Sequence, residues 1–189
     1  MRIIAGTARS MPLKTIPGLE TRPTTDRIKE TLFNMIQMEV PGCYFLDLFS
    51  GSGSIALEAV SRGARKAVLV ENNRKAAACI QDNINFTKFN SYCDLKVMDA
   101  VTAIRTLERK YVFDIVYMDP PYNKELEPEV LECLANSTII NEDTLIIIEA
   151  DIDRDVSVFE SEAFYITRQK KYKTNQHVFL KKRMEADCE

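Results

Sequence analysis

Short apolar runs alternate with longer segments of helical periodicity from about residue 43 onward. The apolar runs predict strands at Tyr44 to Leu48, Ala67 to Val70, Leu95 to Met98, Val112 to Met118 and Leu145 to Ile148. The periodic segments predict helices at about 25–38, 53–62, 73–86, 100–109 and 125–135. Strands that alternate with helices of this length predict βαβ units and an α/β fold with a parallel, doubly wound sheet.

The alternation changes near the end of the chain. Ala163 to Lys173 and Gln176 to Lys182 predict two strands joined by a short turn that contains Asn175. Because no helix separates them, these strands must be antiparallel. The sheet is therefore predicted to be mixed and to end in an antiparallel hairpin.

The first 23 residues follow neither pattern. Arg2 to Ala5 and Pro12 to Ile16 predict two short extended pieces, with turn signals around them. They indicate a β-hairpin arm packed outside the main sheet. The predicted organisation is an arm at 1–23 and one α/β domain at 24–189.

Composition places the chain among ordinary globular proteins. Of its 189 residues, 46% are hydrophobic and 28% are charged. No apolar run approaches the roughly 20 residues of a membrane span, and no signal-peptide stretch opens the chain, so a cytoplasmic protein without a membrane partner is expected. The single histidine and the scattered cysteines lack zinc-ligand spacing, so no metal is expected and the cysteines are interpreted as reduced core residues.

Charge is segregated along the chain. Residues 1–30 carry a net charge of +3 and residues 168–183 carry +7, whereas residues 31–167 carry −10. Two basic ends could form one positive face toward a phosphate backbone. The alternative is solvated edge charge that protects strands from aggregation.

Asp119-Pro120-Pro121-Tyr122 directly follows the fourth predicted strand. Neither proline offers an N–H and each fixes its own φ, so the chain leaves the strand in one restricted shape. Ligands of open α/β sheets bind at this end of the strands. The motif therefore predicts a site that grips a planar amine, with an ordinary turn as the alternative. The predicted catalytic residues are Asp119, Pro120 and Tyr122.

A glycine-containing loop follows the first predicted strand. Asp47 to Gly53 would bring backbone close to a ligand at a helix N-terminus. Glu71 ends the second strand and could accept from both ribose hydroxyls, while Asp99 follows the third and could accept from an adenine amino group. The predicted cofactor-binding residues are Asp47, Phe49, Gly51, Gly53, Glu71, Asn72, Asp99 and Ala100.

Two adenosine-containing cofactors suit this pattern, a nicotinamide dinucleotide and S-adenosylmethionine. Asp47 helps to separate them, because a carboxylate sits awkwardly beside a pyrophosphate but suits the ammonium of a methionine moiety.

Asp47 to Gly53, Glu71, Asp99 and the Asp-Pro-Pro-Tyr motif, in that order, resemble the class I S-adenosylmethionine-dependent amino-methyltransferases. The narrower resemblance is to the ribosomal small-subunit methyltransferase D family, and it rests on Arg2 to Gly6, Arg22-Pro23-Thr24, Leu46 to Gly53 and Glu58 to Ala64. It implies N2-methylation of one guanine in 16S ribosomal RNA, with S-adenosylhomocysteine as product and the N-terminal arm aiding RNA recognition. The expected partner is a small ribosomal subunit or its assembly intermediate, and a monomer is expected.

The predicted chemistry needs neither histidine nor metal. If Asp119 and the Pro120 carbonyl accept hydrogen bonds from the amine, its lone pair faces the sulfonium methyl, and the released proton can go to water or to Asp119. Tyr122 would stack on a base swung out of its helix. The predicted phosphate contacts are Arg9, Arg22, Arg27, Lys170, Lys171 and Lys173.

Other functions stay open on sequence alone. The same tetrapeptide serves methylation of DNA adenine N6 and of protein glutamine amides. The glycine loop and Glu71 are also compatible with a nicotinamide-dependent oxidoreductase. A non-catalytic RNA-binding assembly factor is the remaining alternative.

In the narrower family a glycine often stands near the final hairpin turn, where this chain has Lys173-Thr174-Asn175.

Overall fold

The computed structural model of the chain describes residues 1–15, 26–121 and 126–184. Its helices are α1 (Asp26–Met35), α2 (Ser54–Ser61), α3 (Arg74–Thr87), α4 (Ala100–Leu107) and α5 (Glu127–Ala135), and one 3-10 turn spans Val156–Phe159. Its strands are β1 (Tyr44–Asp47), β2 (Lys66–Val70), β3 (Cys93–Lys96), β4 (Ile115–Met118), β5 (Leu145–Asp151), β6 (Phe164–Lys171) and β7 (Asn175–Lys182). Within the described ranges, no helix is long and apolar enough to cross a membrane.

The strands form a single seven-stranded sheet in the order β3-β2-β1-β4-β5-β7-β6. The five strands from β1 to β5 are parallel, whereas β7 is antiparallel to both β5 and β6. The predicted mixed sheet with a terminal hairpin is confirmed. Strand order reverses between β1 and β4, and at such a switch point a crevice opens at the carboxyl ends of the strands.

Helices cover both faces of the sheet. On one face, Leu32 of α1, Leu57 of α2 and Ile80 of α3 share a buried apolar cluster with alternate strand residues. On the other face, α4 and α5 pack over the remaining strand residues with Phe159. Because side chains alternate along a strand, residues two apart face the same helical layer.

Several predicted boundaries were wrong. The third strand begins two residues earlier than predicted, at Cys93, and Val97 is 49% exposed beyond its end. The fourth strand begins at Ile115 because the preceding Val112 is half exposed and pairs with no strand. The fifth strand continues past Ile148 to Asp151, where its register with β7 still holds. Helix α1 ends at Met35, three residues earlier than predicted, and its predicted start at residue 25 lies outside the described residues.

The final hairpin turn does not require the glycine that the family often has. The Tyr172 amide donates to the carbonyl of Asn175 at 2.8 Å and closes the turn. Positive φ angles at non-glycine residues occur, among the described ranges, only at Ser10, Lys88 and Arg109. The sequence Lys173-Thr174-Asn175 therefore fits the turn without backbone strain.

The N-terminal segment folds against the body of the domain. Arg2 and Pro12 form one isolated antiparallel bridge, and the amide of Ile3 donates to the carbonyl of Met11 at 3.0 Å. Gly6 has φ +83°, and a Cβ there would lie 1.8 Å from the carbonyl oxygen of Ser61. The segment is thus a hairpin-like arm pressed onto α2. Its predicted end at residue 23 lies outside the described residues and stays a prediction.

A buried ionic cluster, here called the Glu58 cluster, ties this arm to two helices. The Glu58 carboxylate accepts from the amides of Ile4 at 2.7 Å and Ala5 at 3.0 Å. Arg62 Nε lies 2.8 Å and Lys29 Nζ 3.3 Å from the same carboxylate, and neither Glu58 nor Lys29 is exposed. Lys29 Nζ also donates to the carbonyl of Arg2 at 2.5 Å. The arm, α1 and α2 are therefore joined through one side chain.

Removing the charge at Glu58 should destabilise the whole fold. We expect Glu58→Gln to lower the free energy of unfolding by about 3–5 kcal/mol, because the buried Lys29 would lose the anion that supports its charge. Urea denaturation followed by circular dichroism measures this loss.

The matched control is Asp82→Asn, which breaks the exposed Lys14–Asp82 pair that also fastens the arm at 2.8 Å. Exposed pairs contribute little, so this variant should unfold almost like the parent protein. Equal losses in the two variants would show that the Glu58 cluster has no special weight.

Candidate active site

The loop after β1 is held between two strands by Ser50. Its amide donates to the carbonyl of Val70 at 2.9 Å, and its hydroxyl accepts from the Val70 amide at 3.0 Å. The same hydroxyl donates to the carbonyl of Asp47 at 3.0 Å. Gly53 adopts φ +78° at the start of α2, where a Cβ would lie 3.1 Å from Leu69. The loop is therefore fixed before any ligand arrives.

Glu71 connects this loop to the end of β2. One carboxylate oxygen accepts from the Gly51 amide at 2.9 Å, and the other accepts from the Asn73 amide at 2.8 Å. The side chain of Asn73 in turn caps α3. A carboxylate oxygen has more than one lone pair, so both oxygens can still accept from a ligand hydroxyl.

A cavity of about 460 Å³ opens at this edge of the sheet, next to the loop. Five predicted cofactor residues line it: Phe49, Glu71, Asn72, Asp99 and Ala100. Asp47, Gly51 and Gly53 are not part of its wall. Sequence reasoning missed the remaining wall, which consists of Leu48, Val70, Met98, Val101, Thr102, Arg105, Leu126, Glu129 and Val130. Leu48, Val70 and Met98 lie at or just past the ends of strands, whereas the others come from α4 and the start of α5, whose facing surfaces become apparent only once the sheet is assembled.

Asp99 has a structural role that the sequence reasoning overlooked. It is the N-cap of α4, and its carboxylate accepts from the Thr102 amide at 2.8 Å and from the Thr102 hydroxyl at 2.7 Å. These hydrogen bonds lower the pKa of Asp99 and keep it ionised. Contact with an adenine would use the lone pairs that remain.

Asp47 is a buried acid with an unmet hydrogen-bonding capacity. It is 1% exposed, and its Oδ1 has no hydrogen-bond partner. Burial raises the pKa of Asp47 to about 7, and the charge of the nearby Glu71 raises it further. Hydrogen bonds from the loop act in the opposite direction. A buried acceptor without a partner fits an ammonium group of a ligand.

Asp119 and Pro120 follow β4, directly beside the β1 loop. The amide of Leu48 donates to the carbonyl of Tyr117 at 3.0 Å, which joins the two segments just below their ends. Burial raises the pKa of the Asp119 carboxyl well above its usual value, and the charges of Glu149 and Asp47 raise it further. The predicted catalytic pair therefore lies at the switch point of the sheet. Tyr122, the third predicted catalytic residue, lies outside the described residues.

A polar network behind Asp119 was not predicted. Glu149 accepts from the Tyr117 hydroxyl at 2.6 Å and from Asn175 Nδ2 at 2.5 Å, and His177 Nε2 lies 3.2 Å away. Tyr117, Glu149 and His177 are all buried. One signal was available in the sequence, because Glu149 interrupts an otherwise apolar run in β5.

The predicted phosphate contacts do not all lie at the same edge. Lys170 and Lys171 pair with His177 and Gln176 near the start of β7, which places them at the catalytic edge. Arg27 is near the start of α1, beside the Arg2–Asp26 ion pair, also toward that edge. Arg9 follows the turn that binds Ser61 at the far end of α2, so the fold carries it away from the site. Lys173 is exposed in the final turn, and Arg22 lies outside the described residues.

No group of three or more histidine, cysteine, aspartate or glutamate side chains in the described ranges could hold a metal ion. Cys43, Cys79, Cys93 and Cys133 are free thiols, and burial raises the pKa of Cys43 and Cys93 to about 12. Those two cysteines belong to the core, as predicted.

Solved structures share this architecture. The Escherichia coli protein yhhF superimposes with a TM-score of 0.82 at 29% identity, covering 98% of this chain and 99% of that one. A conserved hypothetical protein of Streptococcus pyogenes gives a TM-score of 0.74 at 39% identity, covering 82% and 95%. The sheet order and the cavity at its switch point place the chain in the class I methyltransferases, which use S-adenosylmethionine.

The family follows from sequence similarity. The family model described as "Conserved hypothetical protein 95" matches residues 1–181. Ribosomal RNA small subunit methyltransferase D of Escherichia coli K12 is 32% identical over 155 residues, covering 81% of this chain and 76% of that protein. The Bacillus subtilis protein YlbH is 32% identical over 185 residues, covering 97% and 100%. This chain belongs to the ribosomal RNA small subunit methyltransferase D family, so the predicted family and the predicted S-adenosylmethionine cofactor are confirmed.

Ionisation of Asp47 should make cofactor binding depend on pH. An ammonium group beside Asp47, such as that of a methionine moiety, would favour the ionised carboxyl, and burial raises the pKa of Asp47 to about 7. We expect the affinity for S-adenosylhomocysteine to fall by up to about tenfold for each pH unit below that value and to level off above it. Isothermal titration calorimetry between pH 5.5 and 8.5 measures the slope.

Asp47→Asn is the matched control, because the amide keeps the shape of the carboxyl and cannot ionise. Its affinity should be lower at pH 8 and nearly constant across the range. A variant that kept the parent slope would assign the proton to another group.

Proposed function

We propose that this protein transfers a methyl group from S-adenosylmethionine to the exocyclic N2 of a guanine in 16S ribosomal RNA. The observation that carries the proposal is the position of Asp119 and Pro120 at the switch point, next to the loop and cavity that suit the cofactor. The names of the relatives from Escherichia coli and Haemophilus influenzae, each a ribosomal RNA small subunit methyltransferase D, support RNA as the acceptor.

In this proposal the cofactor lies along the carboxyl ends of β1, β2 and β3. Glu71 accepts from the ribose hydroxyls, and the apolar wall of Leu48, Val101 and Val130 encloses the adenine. Asp47, with its unpartnered oxygen, takes the methionine ammonium. The rigid loop around Ser50 limits the ordering cost of binding.

The acceptor amine lies between Asp119 and the Pro120 carbonyl. An exocyclic amine is a poor nucleophile because its lone pair is delocalised into the ring. Two acceptors that bind its two hydrogens hold the nitrogen closer to tetrahedral and aim the lone pair away from them. The bound cofactor supplies an electrophilic methyl group on a sulfonium.

The RNA has to present an unstacked guanine. Tyr122 would stack on the extruded base, a contact worth about 1–3 kcal/mol per base. Arg27, Lys170, Lys171 and Lys173 would bind phosphates at the catalytic edge. Arg22 is proposed as a further phosphate contact on its sequence alone. Arg9 would reach only RNA that extends along α2 to its far end.

The decisive experiment uses small ribosomal subunits and naked 16S RNA from a bacterial strain that lacks this enzyme. Labelled S-adenosylmethionine is added with the protein, and the RNA is digested to nucleosides. Labelled N2-methylguanosine supports the proposal and the better acceptor identifies the substrate form. Label in another nucleoside of the RNA would overturn it, as would label in DNA adenine or in protein glutamine when those acceptors are offered in parallel reactions. Thermal stabilisation by NAD but not by S-adenosylhomocysteine would favour an oxidoreductase.

Asp119→Ala tests the role of the carboxylate. We expect the transfer rate to fall by about 10³-fold or more, because both the amine contact and the orientation are lost. Affinity for S-adenosylhomocysteine should change far less than the rate, since Asp47 and Glu71 hold the cofactor. Single-turnover kinetics and calorimetry measure the two quantities.

Asp153→Ala is the control, because Asp153 is an exposed carboxylate just past β5, at the same edge. It should keep the parent rate. Equal losses of rate and of cofactor affinity in Asp119→Ala would contradict the assignment.

A further inference from the structure

Asp119 lies level with Glu149 across the sheet. Met118 pairs with Ile148 in the parallel register of β4 and β5, so the next residues of the two chains are side by side. Neighbouring strands are about 5 Å apart. Glu149 pairs in turn with His177, and His177 with Lys170. Laterally paired residues thus form one row across the sheet, from Asp119 to Lys170 in β6, the last strand.

Glu149 and Tyr117 share one face of the sheet. Tyr117 pairs with Ile147, and Glu149 lies two residues further along β5, so alternation directs both side chains to the same layer. The hydrogen bond of 2.6 Å between them confirms this direction. Continuing the alternation past Met118 turns Asp119 toward that layer too.

The surroundings of Glu149 favour its charged form. Burial opposes ionisation, but hydrogen bonds from His177, Tyr117 and Asn175 outweigh it and lower the pKa of Glu149. Because an ionised carboxylate can only accept, His177 Nε2 must carry a hydrogen. Tyr172 Oη lies 3.0 Å from the other ring nitrogen of His177 and fixes the ring orientation.

We propose that Glu149 is a positioning residue that acts through Asp119: its anion, held by Tyr117 and His177, makes the Asp119 carboxylate the acceptor of the proton that methylation releases. This inference rests on the proposed function. The amine nitrogen forms its bond to the methyl carbon while the carbon–sulfur bond breaks and its electron pair stays on sulfur. The nitrogen then gives one proton to Asp119, which later passes it to solvent, so charge and atoms balance.

A neighbouring anion makes Asp119 a better base. Without it, a carboxylate at its usual pKa is a weak acceptor at neutral pH. Among the described residues, the titratable groups that act on Asp119 are Asp47 from β1, Tyr117 from β4 and Glu149 from β5. His177 and Tyr172 of the final hairpin lie beyond them, on the Glu149 side. Of the first three, Asp47 and Glu149 raise the pKa of Asp119 through their charges. In the proposed complex, the ammonium of the cofactor offsets the charge of Asp47. The charge of Glu149 has no such ligand beside it and persists during the reaction.

The test compares the pH profile of kcat in the parent protein and in Glu149→Gln, with saturating S-adenosylmethionine so that ionisation of Asp47 does not limit binding. We expect the acid limb to move about one to two pH units lower, because the neighbouring negative charge is gone. The rate at high pH should fall as well, since Asp119 becomes a weaker base. An unmoved limb would overturn the inference.

Tyr117→Phe provides a second variant that keeps the buried volume. Losing the hydroxyl leaves the Glu149 charge less neutralised, so the acid limb should move to higher pH, opposite to Glu149→Gln. A merely structural role would slow both variants without opposite shifts. Tyr44→Phe, at the opposite edge of the sheet, is the control and should keep the parent profile.

A measurement without methyl transfer separates this inference from the proposed function. The pKa of Asp119 can be followed by carbon-13 NMR of selectively labelled aspartate, assigned with Asp119→Asn. A lower pKa in Glu149→Gln supports the charge coupling, and an unchanged pKa refutes it. If no label enters RNA, the proposed function fails while the NMR result still decides the coupling.

Discussion

Three carboxyl groups from three neighbouring strands share one buried end of the sheet, and the site depends on how that repulsion is resolved. Asp47 ends β1, Asp119 follows β4 and Glu149 lies in β5. Burial and mutual repulsion both oppose charge, so the three cannot all be ionised at low cost. Glu149 gains donors and stays charged, whereas burial raises the pKa of Asp47 and Asp119. In the free protein, a positively charged or hydrogen-donating ligand at this end of the sheet would therefore stabilise the ionised forms of Asp47 and Asp119.

The Glu58 cluster shows by contrast that a carboxyl with an unpartnered oxygen, such as Asp47, suits ligand binding and not stability. Glu58 is as deeply buried as Asp47, yet its carboxylate receives two backbone amides and two cationic side chains. It joins the arm to α1 and α2 and leaves nothing for a ligand. Asp47 keeps an oxygen without a partner. A buried oxygen without a partner costs free energy, and it persists here because Ser50 and the two strands beside it determine the position of Asp47.

Sequence patterns could predict the architecture because periodicity is local. Alternating runs and the terminal hairpin depend on neighbours within a few residues, and both were predicted correctly. Glu149 and His177 were missed because their meaning lies in pairing between strands far apart in sequence. Asp99 was interpreted only as a ligand contact, although its spacing to Thr102 is that of an ordinary helix cap. The sequence also could not show that Arg9 lies away from the site, because its position depends on the tertiary contact between Gly6 and Ser61.

Cofactor and acceptor sites are coupled through these same charges. An ammonium beside Asp47, as proposed for the cofactor, adds a positive charge to the space that Asp47 shares with Asp119. It thereby offsets one of the two charges that raise the pKa of Asp119, so more of that carboxyl is ionised when the cofactor is bound. Since such coupling is reciprocal, an amine bound to ionised Asp119 favours the cofactor-loaded protein by the same free energy. The repulsion that weakens the empty site thus becomes the means by which the two ligands favour each other.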